Sequence, residues 1–270
     1  MPRSWMQPRW GVTLFAVCGF FLINEATRRL PLWGSLRGPW RTIAWQGAQV
    51  VLCTVALALV HRLRPGAALR EVGFGHPPHR TAGFSLLATL PMFVTYGHAA
   101  GFMPAKLDWG FTLMTAVMAP LAEEVLFRGF LFGQLRRRAA WSFWGAALVG
   151  LVPFALGHIH QGYQAGHGPW GILGVLAITG AGHLFFAWLL ERWGDLWVPV
   201  GMHALMNLWW HLFAVDSTAL GGLQANVARV LTVGLAIGLT LWLRRGRPVW
   251  GAEPRVGAHG EATPRSATAP

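Results

Sequence analysis

Apolar runs of about 20 residues, the length a helix needs to cross a bilayer core, recur along this 270-residue chain between short polar breaks. Eight segments have this character, at about 10–26, 42–60, 81–103, 109–135, 141–157, 170–190, 196–215 and 227–243. The pattern predicts an all-α fold, a polytopic transmembrane helical bundle of about eight helices. Composition agrees, because only 12% of the residues are charged against about 25% in a soluble domain.

The first segment follows Arg3 and Arg9, as the core of a signal peptide would. It has no small-residue cleavage site and runs into Asn24, Glu25, Arg28 and Arg29, so it is expected to be a retained helix. Residues 1–245 are read as the membrane domain, with a motif-bearing core at 109–210. Residues 246–270, rich in Pro, Ala, Gly, Thr and Ser, are read as a disordered cytoplasmic tail that buries too little apolar surface to fold. No internal repeat is visible, so a transporter built from inverted halves gains no support.

A formal net charge of +12 raises the question of nucleic acid, but the Arg residues sit between the apolar runs instead of forming one basic face. No nucleic-acid partner is expected; the lipid bilayer is. With both termini on one side, that side collects fifteen of the 22 Lys and Arg residues and the other five, while Arg128 and Arg229 fall inside helices. The positive-inside rule then places the termini in the cytoplasm of a cell with the chain in its inner, or plasma, membrane. The four Arg between the first two segments are the weak point of this topology. Cys18 and Cys53 both lie in apolar stretches, which points to neither a disulfide framework nor a thiolate metal site.

Ionisable side chains within a span are costly and signal function by default. The fourth segment holds three, in the run Ala122-Glu123-Glu124-Val125-Leu126-Phe127-Arg128-Gly129. Glu124 and Arg128 are four apart with the acid first, the favoured order for a pair on one helix face. Glu123 is rotated away from that face and needs another partner. A carboxylate without its own counter-ion suits a general base that takes a proton from water. His158, four residues after Phe154, closes the fifth segment, and His203 with Asn207 forms an i, i+4 pair on the seventh. Imidazole and carboxamide on one face can both donate hydrogen bonds to one small charged atom. A carboxylate, an imidazole and a donor pair on three helices are what water-driven amide hydrolysis requires.

These residues carry a resemblance. Glu123-Glu124-x-x-x-Arg128, Phe154-x-x-x-His158 and His203-x-x-x-Asn207, in that order, resemble the CAAX protease and bacteriocin-processing family of intramembrane endopeptidases, the type II CAAX prenyl endopeptidase-like proteins. The resemblance implies a glutamate-dependent hydrolysis in which Glu123 and His158 activate a water, His203 and Asn207 stabilise the tetrahedral oxyanion, and Glu124 and Arg128 hold the site together. It implies a peptide or protein substrate in the membrane and no cofactor. Cleavage is expected near the cytoplasmic face, with Glu123 and His203 reachable from there, although His158 then falls near the outer end of its helix.

Three alternatives stay open. His158, His160 and His167 lie close enough in sequence to chelate zinc with Glu123 or Glu124, although no His-Glu-x-x-His occurs. A transporter or proton relay also uses buried Glu, His and Arg. A non-catalytic, bacteriocin-immunity-like membrane factor would keep the same residues as structural ion pairs. Serine and paired-aspartate mechanisms are disfavoured: there is no Gly-x-Ser-x-Gly, and Asp108, Asp195 and Asp216 all lie near segment ends. Gly194-Asp195 reads as a turn before the seventh segment. His183 faces the span without a motif, and the remaining His residues are assigned packing, interfacial or solvent roles.

Overall fold

The computed structural model describes residues 9–247, and each of the eight expected segments is helical in it. The helices are α1 (Arg9–Arg29), α2 (Pro39–Val60), α3 (Pro65–Val72), α4 (His79–Ala88), α5 (Leu90–Ala99), α6 (Trp109–Arg138), α7 (Phe143–Gly157), α8 (Ile159–Gln164), α9 (Gly168–Trp193), α10 (Trp197–Leu212) and α11 (Leu223–Leu243). Among the described residues there is no strand. A helix bonds its own backbone polar groups, which hydrocarbon cannot do for it. Five helices, α1, α2, α6, α9 and α11, are long and apolar enough to cross a membrane on their own. Their outer faces show large apolar side chains such as Leu22, Leu59 and Val230, while Phe20, Leu57 and Ala228 face inward. A helix that is apolar all round belongs in lipid, and the chain is a multi-pass membrane protein. The tail assigned to 246–270 lies, from residue 248 on, outside the described residues.

Two departures from the expected segments have local causes. The third segment is broken at Thr89 between α4 and α5 because Pro91 cannot donate the backbone bond a continuous helix needs. Thr89 Oγ1 stabilises the break by donating to the Ser85 carbonyl (2.9 Å) and accepting from Trp209 Nε1 (3.1 Å). Within α6, Pro120 stands between widened π-helical turns at Met114–Met118 and Glu124–Phe132. Such turns are often found at functional sites.

The basic segments meet at one end of the bundle. There Trp141 Nε1 donates to Thr13 Oγ1 (3.1 Å), Arg136 pairs with Glu191 (2.8 Å), and Arg244 Nε donates to the Arg192 carbonyl (3.0 Å). Arg28, Arg29, Arg37 and Arg41 belong to the other end: α1 and α2 run antiparallel, with Gln49 bonded to Asn24 and Arg28 over the Trp45 ring. The segment that joins α2 to α4 does more than link them. Leu196 N donates to the Gly73 carbonyl (2.9 Å), His76 Nδ1 bonds Asp195 (3.0 Å), and α3 lies against the C-terminal part of α6, from Gly129 to Arg138. Gly129 permits this approach, since a Cβ there would stand 2.6 Å from the Val72 carbonyl oxygen. Backbone on both sides cannot yield as a side-chain tip would, so Gly129→Ala is expected to destabilise by about 1–3 kcal/mol, read as a lower melting temperature in detergent.

Glu71 on α3 anchors the same region. Arg138 grips its carboxylate with two bonds, Nε to Oε1 (3.0 Å) and Nη2 to Oε2 (2.9 Å), and Gln134 Nε2 adds a third (3.1 Å). Burial pushes this carboxyl up, but the bond from Arg138 and the charge of Arg137 outweigh it and hold the group at about 2, below the ordinary 4.5. A depressed carboxyl adds stability that is present above its unfolded value and lost as pH falls through its folded value. Glu71→Gln is therefore expected to lose on the order of 2 kcal/mol at pH 7, with exposed Arg138 screening part of the effect. The gap to wild type should shrink to less than half when melting is measured near pH 3.

Candidate active site

Glu124 and Arg128 are fully buried, and their charges are 3.3 Å apart between Oε2 and Nε. The contact lacks hydrogen-bond alignment, and Arg128 Nη1 has no hydrogen-bond partner. The guanidinium instead lies over the Phe154 ring, 4.6 Å from its centre, with Nη2 3.5 Å from the His183 carbonyl. The pair is thus held by charge and by aromatic faces. The other Glu124 oxygen, Oε1, accepts from His203 Nδ1 at 2.9 Å. Because a carboxylate only accepts, this bond puts a proton on Nδ1 and turns Nε2 away from Glu124. Phe186 stacks on the imidazole at 4.9 Å and 16°, fixing its plane.

Nε2 of the same ring lies 3.9 Å from Glu123 Oε2. The partner that Glu123 needs is therefore His203, which stands between the two glutamates. Asn207, one turn along α10, donates from Nδ2 to the Thr115 carbonyl (3.0 Å). His158 closes α7, with Nδ1 donating to the Phe154 carbonyl (2.8 Å). This bond points its Nε2 away from the helix end.

The depth of His158 follows from packing. Helix α7 starts beside the basic end and runs antiparallel to α6, and Phe127 and Phe154 meet edge to face at 5.0 Å. One turn farther along each helix come Glu123 and His158. Only 15 residues long, α7 stops partway through the bundle, so His158 lies level with Glu123. Glu123, His158, His203 and Asn207 all line one cavity of about 390 Å³, while Glu124 and Arg128 lie behind its wall. From these residues the cavity extends past Thr115 and Phe111 to His211 and Asp216, toward the end of the bundle away from the Arg136–Arg138 cluster. At the basic end, α3, Gly73 and Leu196 pack against Gly129.

Several supporting side chains have no counterpart in the motif reading. Phe186 carries His203, and Thr115 holds Asn207. His183 is buried, with Nε2 3.1 Å from the Ala147 carbonyl, so it ties α9 to α7 and does not face lipid. The available signal was Gly150, which leaves just enough room for that ring: a Cβ there would stand 2.8 Å from it. His160 and His211 also line the cavity, and His167 does not. Among the described residues no three His, Cys, Asp or Glu side chains converge as a metal site would. Asp195 does cap the turn before α10, accepting from Trp197 N at 3.0 Å.

Fold and site together define a class: a membrane-embedded helical bundle with a carboxylate and imidazole cavity at the level of mid-helix α6. Residues 105–209 match the family described as Type II CAAX prenyl endopeptidase Rce1-like, which bears out the resemblance read from the three motifs. A curated relative, "Putative membrane peptidase YdiL" of Bacillus subtilis (strain 168), is 28% identical over 95 residues. That alignment covers 35% of this chain and 33% of the relative, so the chain spans about a third of the relative's length. No solved structure matches the chain.

Removing one partner of a buried ion pair strands the other charge, at a cost of about 3–5 kcal/mol. Arg128→Met is expected to destabilise by about this amount, and adding Glu124→Gln should recover part of it, because the two act as one unit. Thermal melts of the two single variants and the double variant measure the coupling.

Proposed function

We propose that the protein is an intramembrane endopeptidase that hydrolyses a peptide bond of a membrane-associated peptide or protein with water and no metal. The observation that carries this reading is the convergence of Glu123, His158, His203 and Asn207 on one cavity, backed by a buried ion pair that orients His203. Water attacks the carbonyl carbon as its proton passes to Glu123, with His158 sharing the water's second hydrogen bond. The carbonyl oxygen becomes an oxyanion, which accepts from His203 Nε2–H and from the Asn207 N–H not used by Thr115. For Nε2 to donate while Nδ1–H is held by Glu124, the ring carries both protons, flanked by two carboxylates. The C–N bond then breaks as the oxyanion re-forms the carbonyl, and the proton on Glu123 moves to the leaving nitrogen, giving a carboxylic acid and an amine.

The same reading places the chain in the inner, or plasma, membrane with both termini in the cytoplasm, by the excess of Arg at one end of the bundle. The cavity then faces the opposite side. Arg128 is paired and walled off from the cavity, whereas Arg229 on α11 lines it.

The test is cleavage of a membrane-peptide library by the purified full chain in detergent. Glu123→Gln and His158→Ala are expected to remove turnover, and Asn207→Ala to lower kcat about 100- to 1000-fold, the usual effect of losing one oxyanion donor. Chelator should leave wild-type turnover unchanged. Loss of turnover with chelator, restored by zinc, would overturn the metal-free mechanism, and no cleavage of any peptide by well-folded wild type would overturn the peptidase reading.

A further inference from the structure

A second cavity of about 450 Å³ lies between α1, α2, α6 and α7, and it shares Glu123, Phe154, His158, His160 and Gln161 with the first. The two cavities therefore meet at the candidate catalytic residues and leave them in different directions. The α1 and α2 side of the second cavity lies outside the matched segment 105–209, and it is unusual for a membrane span. Asn24 on α1 and Gln46 and Gln49 on α2 all line it, and both glutamines are more than nine-tenths buried. Gln49 Nε2 donates to Asn24 Oδ1 (3.1 Å), but Gln46 Oε1 is buried with no hydrogen-bond partner.

An orphaned carboxamide oxygen in a span is costly, so its presence beside an open cavity indicates a donor that arrives with the occupant. An acyl chain brings no donor. A polypeptide brings a backbone N–H every residue, and carboxamides read that group without requiring a particular side chain or charge. Resting on the peptidase reading above, we propose that the second cavity is the other arm of the substrate cleft. The peptide crosses the site with its scissile bond at Glu123 and His158, and on one side of that bond Gln46, supported by Gln49 and Asn24, holds its backbone. Gln46 is a binding residue in this account and takes no part in bond making or breaking.

The experiment uses the full-length enzyme and a library peptide that wild type cleaves, together with versions of that peptide shortened from either side of the cut bond. Gln46→Met keeps the size of the side chain and removes the acceptor. It is expected to raise KM about 10-fold, the effect of one lost hydrogen bond, with kcat within about twofold of wild type. The same comparison on a peptide shortened from the side held by this arm should show no difference, and on one shortened from the other side the full difference. Unchanged KM overturns the inference, as does a fall in kcat alone, which would make the cavity a route for water. A KM penalty that persists on both shortened peptides overturns it too. Should melting show that Gln46→Met is misfolded, Gln46→Asn, which draws the carboxamide back along the same wall, gives the same comparison. If wild type cleaves nothing, the peptidase reading fails first and the inference with it; cleavage with equal KM values removes the inference alone.

Discussion

A full positive charge with no access to water is the least tolerable object in a membrane-spanning bundle, and Arg128 is one. Its presence dictates what surrounds it. Glu124 must stay ionised to face it, three aromatic rings from α6, α7 and α9 supply their negative faces, and the backbone of His183 turns a carbonyl toward it. Once Glu124 is fixed, its second oxygen is a directed acceptor, and His203 meets it through Nδ1. The buried pair thereby acts as a clamp between α6 and α10 that sets the position of an imidazole nitrogen beside Glu123. Replacing such a pair by apolar residues is often neutral for stability, so what it contributes is best understood as geometry.

Short helices deliver the other half of the site. Helices that cross the whole membrane carry side chains at every depth, but the end of a helix presents a residue at one depth. Here α7 ends at His158, one turn past the Phe127–Phe154 contact, and α10 starts inside the bundle, where Leu196 meets Gly129 and Gly73. The segment around α3 makes the second possible by filling the space below α10. Stability at the basic end, where Glu71 is gripped by Arg138, and the depth of His203 are therefore parts of one arrangement.

Much of this was legible in the sequence, and the boundary between what was and what was not is physical. The eight helical segments follow from apolar length alone. The Glu124–Arg128 pair follows from i, i+4 spacing, and the shared face of His203 and Asn207 from the same rule. These are properties of one helix. The level of His158, the Glu123–His203 approach and the closed basic end depend on where two helices touch, and single-chain periodicity does not encode that. Charge counting says which end is basic, whereas the packing of Val72, Gly73 and Leu196 around Gly129 depends on contacts between helices. The place of His183 is not legible in the sequence because its partner is a backbone carbonyl on another helix, and a lone glutamine such as Gln46 matches no motif.

Helix α6 presents its Glu123 level to an open cavity reached from the Trp109 end, while the following turn is sealed. Thiol labelling tests it most directly, in a background with Cys18 and Cys53 replaced. Ala119 lines the cavity one turn before Glu123, and Val125 is fully buried just after it. With a membrane-impermeant maleimide applied to oriented vesicles, Ala119→Cys is predicted to react from the side of the Trp109 end, and Val125→Cys to stay unlabelled from both. Labelling of Val125→Cys from the basic side, with Ala119→Cys protected, would contradict the account and place the opening at the other end of the bundle.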